Sequence, residues 1–263
     1  MKKKISAFLI AAVSLLSLIF ITQLATPQTS QAATSEDPIL FVPGSYSNQD
    51  SWDKMYQQLD PDNVHTVVKL LVHDNGSVTR TNVRTGQSDE RPFVTIAFDN
   101  YLWNDDAVYA NAAGLQQAIQ SYQKQDPFTH ADFVAQSNGG NIVVRYMEAD
   151  PSTMFGTLIT VGTPYNMRAG NGDPADPLLI SQIAGADRLN PNMNVYNVIG
   201  RDYDDTSTDT VVSRDSAMDG GHIFRGHVAS LTYLYLSGED AIHMNQVSAP
   251  QFAQILTKYL SFN

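Results

Sequence analysis

The chain of 263 residues predicts an α/β fold, a mostly parallel central sheet with helices on both faces. Two patterns carry that expectation. Short continuous apolar runs bounded by turn residues read as strands buried on both faces. The segments between them place apolar residues at i, i+3, i+4 and i+7, the stripe of an amphipathic helix. Their alternation implies parallel strands joined by crossover helices. A third feature, a serine between a strand and a helix at position 137, marks the carboxyl edge where such sheets bind ligands.

Lys2, Lys3 and Lys4 open the chain, and a largely apolar run without charge follows from Ile5 to Ala25. Ser30-Gln31-Ala32 then offers the small residues that a signal peptidase reads, so residues 1–32 are expected to be a signal peptide. The run exceeds the ~7–15 residues of an ordinary hydrophobic region and approaches the ~20 that span a bilayer, which makes an uncleaved anchor the alternative. Either way the body lies outside the cytoplasm. Residues 33–37 read as a polar linker and 38–263 as one domain, a normal size for a single α/β sheet. Beyond Ala32, 13 basic residues face 27 acidic ones, a formal charge of −14. Such a surface repels phosphate backbones and anionic lipid, so no nucleic-acid partner is expected and the membrane is reached only through the leader. The lack of cysteine excludes disulfides, a thiolate nucleophile and a lipidated cysteine anchor. Export without disulfides suits a Gram-positive bacterium.

Pro38 to Gly44 is the first buried strand. Ser45 to Asp50 is a polar turn, with Ser47 and Asp50 at capping-box spacing, and Trp52, Met55, Tyr56 and Leu59 then share one helical face. Val64 to Val72 is rich in β-branched residues; Asn75-Gly76 is a strong hairpin signal, so Val78 to Val83 should pair back as a small β-ribbon. Pro92 to Phe98 is a further strand. Val108, Ala112, Leu115, Ile119 and Tyr122 line a helix closed by Asp126-Pro127. After the segment around Ser137, Phe155 to Gly162 is a strand. Thr163 to Pro177, with three prolines and two glycines, reads as a long irregular loop. Leu178 to Ala186 reads as a short lid helix above the site. Val195 to Gly200 and Val228 to Leu236 are the last strands, and Pro250 opens a terminal helix carrying Phe252, Ile255, Leu256 and Tyr259.

Phe133-Val134-Ala135-Gln136-Ser137-Asn138-Gly139-Gly140 has the layout of a nucleophile elbow: a strand ends, the backbone reverses at one strained serine, and a helix begins at once. Strand and helix approach closely there, so the residue two positions after the serine must be small, and Gly139 stands at that offset. The usual pattern is G-x-S-x-G; Ala135 replaces the first glycine with the next smallest residue. The turn also sets Ser137 at a helix N-terminus, where free N–H groups can face a developing oxyanion.

A serine hydroxyl needs a base to take its proton and a carboxylate to orient that base, in the chain order Ser, Asp or Glu, His. Among the histidines after Ser137, His243 follows the last strand at the carboxyl edge and is the expected base. His227 falls at the opposite edge and His222 in a glycine-rich loop. The loop after Val195–Gly200 offers Asp202, Asp204, Asp205 and Asp209. Asp209 is preferred because Val211-Val212 can tuck its turn under the sheet; Asp205 is the reserve. That acidic run lacks the alternating ligands and mid-loop glycine of an EF-hand, so no metal is expected. The oxyanion donors should be the N–H of Asn138 and the N–H of Ser45, with Tyr46 the alternative to Ser45. Tyr46, Gln136 and Tyr165 are expected to line the substrate pocket.

These residues resemble the α/β-hydrolase superfamily, and within it the cell-surface hydrolases of Gram-positive bacteria. The likeness spans nearly the whole mature chain. It rests on Phe41-Val42-Pro43-Gly44, Ala135 to Gly140, Val161-Gly162-Thr163-Pro164, Ser207 to Val212, and Asp240-Ala241-Ile242-His243. The resemblance implies a triad of Ser137, Asp209 and His243. That group usually has His-Gly where Pro43-Gly44 stands and G-H-S-M-G-G where A-Q-S-N-G-G stands, so this elbow is more polar than its relatives'. The expectation is an exported serine hydrolase of small-molecule esters, carboxylesterase- or lipase-like and needing no cofactor. A serine peptidase or acyltransferase would use the same residues. A non-catalytic adhesion module on the same scaffold is the rival from another class.

Overall fold

The computed structural model describes residues 37–262 apart from Asp89, Thr153, residues 168–175 and Tyr203. The expected leader, the linker up to residue 36 and part of the loop after Gly162 lie outside the described residues. Eight strands form one sheet: β1 (Ile39–Val42), β2 (Val67–Val72), β3 (Val78–Arg84), β4 (Phe93–Phe98), β5 (Ala131–Gln136), β6 (Phe155–Val161), β7 (Asn194–Arg201) and β8 (Ser230–Ser237). Their order across it is β3-β2-β4-β1-β5-β6-β7-β8. Only β3 runs antiparallel to its neighbour.

The continuous apolar strands are buried on both faces, and side-chain alternation assigns each residue to a layer. Ile39 and Phe41 of β1 pack with Trp52, Met55, Phe252 and Leu256, from helices α1 (Asp53–Leu59) and α7 (Pro250–Tyr259) and the turn before α1. Leu40 and Val42 look to the other face, where Leu115 of α2 (Asp105–Gln123) and Tyr146 of α3 (Asn138–Ala149) close a larger cluster. Helix α2 starts where the Asn104 side chain accepts the Ala107 N–H at 2.8 Å.

The expected ribbon forms through Asn75-Gly76, but it is not a separate insertion. Strand β2 pairs in parallel with β4 along its whole length, so β2 and β3 are one margin of the main sheet. Thr79, Thr81 and Asn82 of β3 are exposed polar residues on this edge strand, which discourages pairing with another chain. The capping-box expectation at Ser47 and Asp50 does not hold. Helix α1 begins at Asp53, and the Asp50 carboxylate instead reaches Lys69 Nζ on β2 at 2.7 Å. Buried Lys69 also meets Asp53 at 2.7 Å, so the two carboxylates compensate its charge.

The expected short helix forms as α4 (Pro177–Gly185) and lies along α3. Gln182 donates to the Asn141 carbonyl at 3.2 Å, Ser181 meets Arg145 at 3.2 Å, and a Cβ on Gly185 would collide with Glu148. Apolar Leu178 and Leu179 pull this helix into the core and set it against the flank of α3. Two short helices, α5 (Arg214–Met218) and α6 (Gly221–Phe224), fill the connection to β8, a stretch too short in period to read from sequence.

Glu148 of α3 is 2% exposed and keeps one carboxylate oxygen without a partner. Burial pushes its carboxyl up to about 7, an effect that Arg145 at 2.9 Å and Arg188 only partly offset. The folded state therefore holds a proton that the unfolded chain, near 4.5, gives up. Below that value both states are protonated; as pH rises towards 7, stability is lost. Glu148→Gln is expected to melt a few degrees above wild type at pH 8, with the gap closing below pH ~4.5, as thermal scans across that range would register.

Candidate active site

Ser137 stands between β5 and α3 with φ +53° and ψ −133°, a conformation that costs a non-glycine residue about 1–3 kcal/mol. The surroundings hold it there. Its N–H donates to the Val161 carbonyl at 2.9 Å, and its carbonyl accepts the Gly140 N–H at 3.0 Å. A Cβ on Gly139 would lie 2.6 Å from the Val42 carbonyl oxygen and 2.7 Å from that of Pro43, so β1 passes too close for any side chain. Gly44 is constrained from the other side, since its Cβ would meet the Ser137 Cβ at 2.7 Å.

His243 arrives from the loop beyond β8, as the strand order requires. Its Nε2 lies 3.0 Å from Ser137 Oγ and its Nδ1 lies 2.7 Å from Asp209 Oδ2. Asp209 is 1% exposed and fully engaged. Oδ1 accepts the N–H groups of Val211 (3.0 Å) and Val212 (2.7 Å), and Oδ2 also accepts Gln246 Nε2 at 2.8 Å. The His243 N–H returns to the Asp209 carbonyl at 2.8 Å, tying the two loops together. With Asp209 accepting from Nδ1–H, Nε2 is left as the acceptor for the Ser137 hydroxyl. Of the apolar pair after Asp209, Val212 is buried and Val211 stands in solvent.

The other candidates fall away. Asp205 is exposed and turned onto Ser207, whose N–H and hydroxyl hold its carboxyl below the usual range. His227 pairs with Asp187 at 3.0 Å. His222 is mostly exposed beside Asp219, 3.7 Å away. Tyr46 is excluded as an oxyanion donor because its N–H is spent on the Tyr101 carbonyl at 2.9 Å. Ser45 follows Gly44, which packs against Ser137, and Asn138 follows the serine directly as the first residue of α3. Their side chains are linked: Asn138 Nδ2 donates to Ser45 Oγ at 3.2 Å, and Ser45 Oγ donates to the Leu102 carbonyl at 3.1 Å. Below, Asn141 Nδ2 reaches Asn138 Oδ1 at 3.2 Å and the Pro164 carbonyl at 3.1 Å. The polar elbow is thus a braced hydrogen-bond network.

Among the expected pocket residues, Tyr46 is 68% exposed beside the oxyanion loop. Gln136 is buried under the imidazole, its Nε2 3.2 Å from His243 Nε2, so it faces the same nitrogen as the serine hydroxyl. Tyr165 does not line the pocket. It is 1% exposed, packs edge-on against Phe224 at 5.7 Å and donates its hydroxyl to Thr160 at 3.1 Å. The turn after Gly162 folds its ring inward to fill space in the core. Gln246 was not foreseen. It is wholly buried and supports Asp209, but a lone glutamine in a loop carries no pattern to mark it.

An eight-stranded sheet of this order, with the elbow at the carboxyl end of β5, is the architecture of the α/β hydrolases. The chain belongs to one of their families, the alpha/beta hydrolases of unknown function DUF915, whose model matches residues 26–262. Solved structures that share the fold include two that overlap most of this chain. The product of gene lin2722 from Listeria innocua is 21% identical with a TM-score of 0.75, over 86% of this chain and 96% of that one. A candidate cell surface hydrolase from Lactobacillus plantarum is 24% identical with a TM-score of 0.74, over 86% and 92%. None of the curated proteins matches the sequence.

Proposed function

We propose that the protein is an exported serine hydrolase that cleaves carboxylic esters through an acyl-enzyme on Ser137. The observation that carries this reading is one unbroken hydrogen-bonded relay. Ser137 Oγ, the His243 ring and Asp209 Oδ2 are joined at 3.0 and 2.7 Å although 106 and 34 residues of chain separate the partners. His243 takes the hydroxyl proton as Oγ attacks the carbonyl carbon, and the N–H groups of Ser45 and Asn138 receive the charge on oxygen. The protonated imidazole then hands its proton to the departing alkoxide. A water activated by the same ring releases the acid and restores the serine. Asp209 keeps Nδ1–H in place throughout. Export is favoured by the three lysines and the apolar run that open the chain. The surface role named for the Lactobacillus plantarum relative points the same way.

A fluorophosphonate probe tests the nucleophile. The mature protein is expected to label at one site, found by mass spectrometry on the peptide holding Ser137, and Ser137→Ala to abolish the label with the fold intact. No labelling of folded protein would move the reading to a binding module. A panel of nitrophenyl esters and anilides, with short and long acyl groups, then sorts esterase, lipase and amidase activity.

A further inference from the structure

We infer that the carboxyl edge of the sheet beside Ser137 is a carbohydrate-binding track, and that the ester cleaved is an acyl group on a neutral or cationic oligosaccharide. This rests on the reading of Ser137 as the nucleophile. The strand order sets the relevant loops side by side: Ser137 after β5, Gly44–Tyr46 after β1, Asn100–Trp103 after β4, and His73–Asp74 after β2. Three inter-strand steps carry this row about 14 Å from the serine, enough for a short chain of sugar rings.

The near part of the row is aromatic. Tyr46, Tyr101 and Trp103 are all exposed, and the rings of Tyr46 and Tyr101 lie 5.9 Å apart. Their backbone is anchored to the oxyanion loop, through Tyr46 N–H to the Tyr101 carbonyl and Ser45 Oγ to the Leu102 carbonyl. These rings are therefore held beside the site by hydrogen-bonded backbone while their side chains stay exposed. The far part is mixed. A cleft of about 220 Å³ sets the apolar Val72, Ala110 and Ala113 beside Asp74, Asn100 and Gln117. Asn100 and Asn111 also border a smaller recess shared with Gly44, Ser45 and Tyr101, so the cleft adjoins the loop after β1.

Exposed rings followed by a cleft that sets the Asp74 carboxylate and the Asn100 and Gln117 amides beside apolar wall match a ligand with apolar faces and many hydroxyls. An acyl chain laid there would strip water from these polar groups without replacing their hydrogen bonds. The charge of −14 beyond Ala32, with Asp74 in the cleft itself, disfavours a polyanionic glycan. In the reaction, the bond from the acyl carbon to the sugar oxygen breaks as the bond to Ser137 Oγ forms. The serine proton travels through His243 to the sugar oxygen, and water then takes the acyl group as a free acid.

Binding can be read without turnover. The Ser137→Ala protein would be titrated with cellotetraose, chitotetraose and its de-acetylated cationic form, followed by ligand-observed NMR and by fluorescence of exposed Trp103. At least one tetrasaccharide is expected to bind saturably, and Trp103→Ala, Tyr101→Ala or Asp74→Ala to weaken it at least five-fold. The same substitutions should lower kcat/KM on the O-acetylated form of that sugar, relative to p-nitrophenyl acetate, at least ten-fold. The inference is overturned if none of the three sugars binds folded protein, or if binding ignores all three substitutions. Labelling of wild type by fluorophosphonate with no sugar bound would sink the track and leave the hydrolase; sugar bound without labelling would keep the track and sink the hydrolase.

Discussion

On the proposed triad, Asp209→Asn is expected to lower kcat on p-nitrophenyl acetate by about 10⁴-fold with little change in KM or melting temperature. The asparagine carbonyl can keep the two N–H groups of Val211 and Val212 that Oδ1 accepts. Its amide nitrogen then replaces Oδ2, which accepts from both His243 Nδ1 and Gln246 Nε2. Three donors would meet where one acceptor stood. The imidazole relieves the conflict by moving its proton to Nε2, the nitrogen that must take the Ser137 proton, and the base is lost while the site keeps its shape. Steady-state kinetics with a thermal melt read both halves of this expectation. A loss under ten-fold in a folded variant would remove Asp209 from the relay.

Arg91→Ala costs about 3–5 kcal/mol of folding free energy, a large share of the ~5–15 kcal/mol that holds a domain together. Arg91 is fully buried at the edge of the sheet opposite the elbow. Its guanidinium meets Asp132 Oδ2 at 2.9 Å and the carbonyls of Asp37, Pro38 and Ser261 at 2.8, 3.3 and 2.7 Å. One side chain thus clamps the segment before β1 to the segment after α7. Burial alone would raise the Asp132 carboxyl, but the neighbouring His130 ring and the Arg91 charge outweigh it and hold that carboxyl below its usual range. Its stabilising effect is full above the unfolded-state value and is lost as pH falls through the folded one. Truncating Arg91 leaves this carboxylate buried without its main counter-charge. Urea unfolding of Arg91→Ala measures the loss, and Arg91→Met with Asp132→Asn should recover much of it because no charge is then stranded. Equal damage in single and double variants would mean that the carbonyl clamp, and not the ion pair, carries the effect.

Local chemistry reaches a long way in this chain. β-Branched runs, helical stripes and Asn75-Gly76 place the strands to within a few residues, because a strand buried on both faces is built mainly of apolar side chains. The elbow is legible for the same reason: the Ser137 backbone and the contact of Gly139 with β1 admit few residue types. Chain order narrows the base and the carboxylate. Whether His243 and Asp209 meet Ser137 is set by three loops folding over one edge, a matter of distance between groups far apart in sequence. That Tyr165 turns into the core, that helix α4 braces α3, and that Gln246 props up Asp209 follow from packing around neighbours that the local sequence does not contain. The sequence alone determined which segments are strands and helices and where a strained serine must stand. Tertiary structure decided which side chains share its space, since burial and hydrogen bonding are settled by the whole sheet at once and by no single stretch of it.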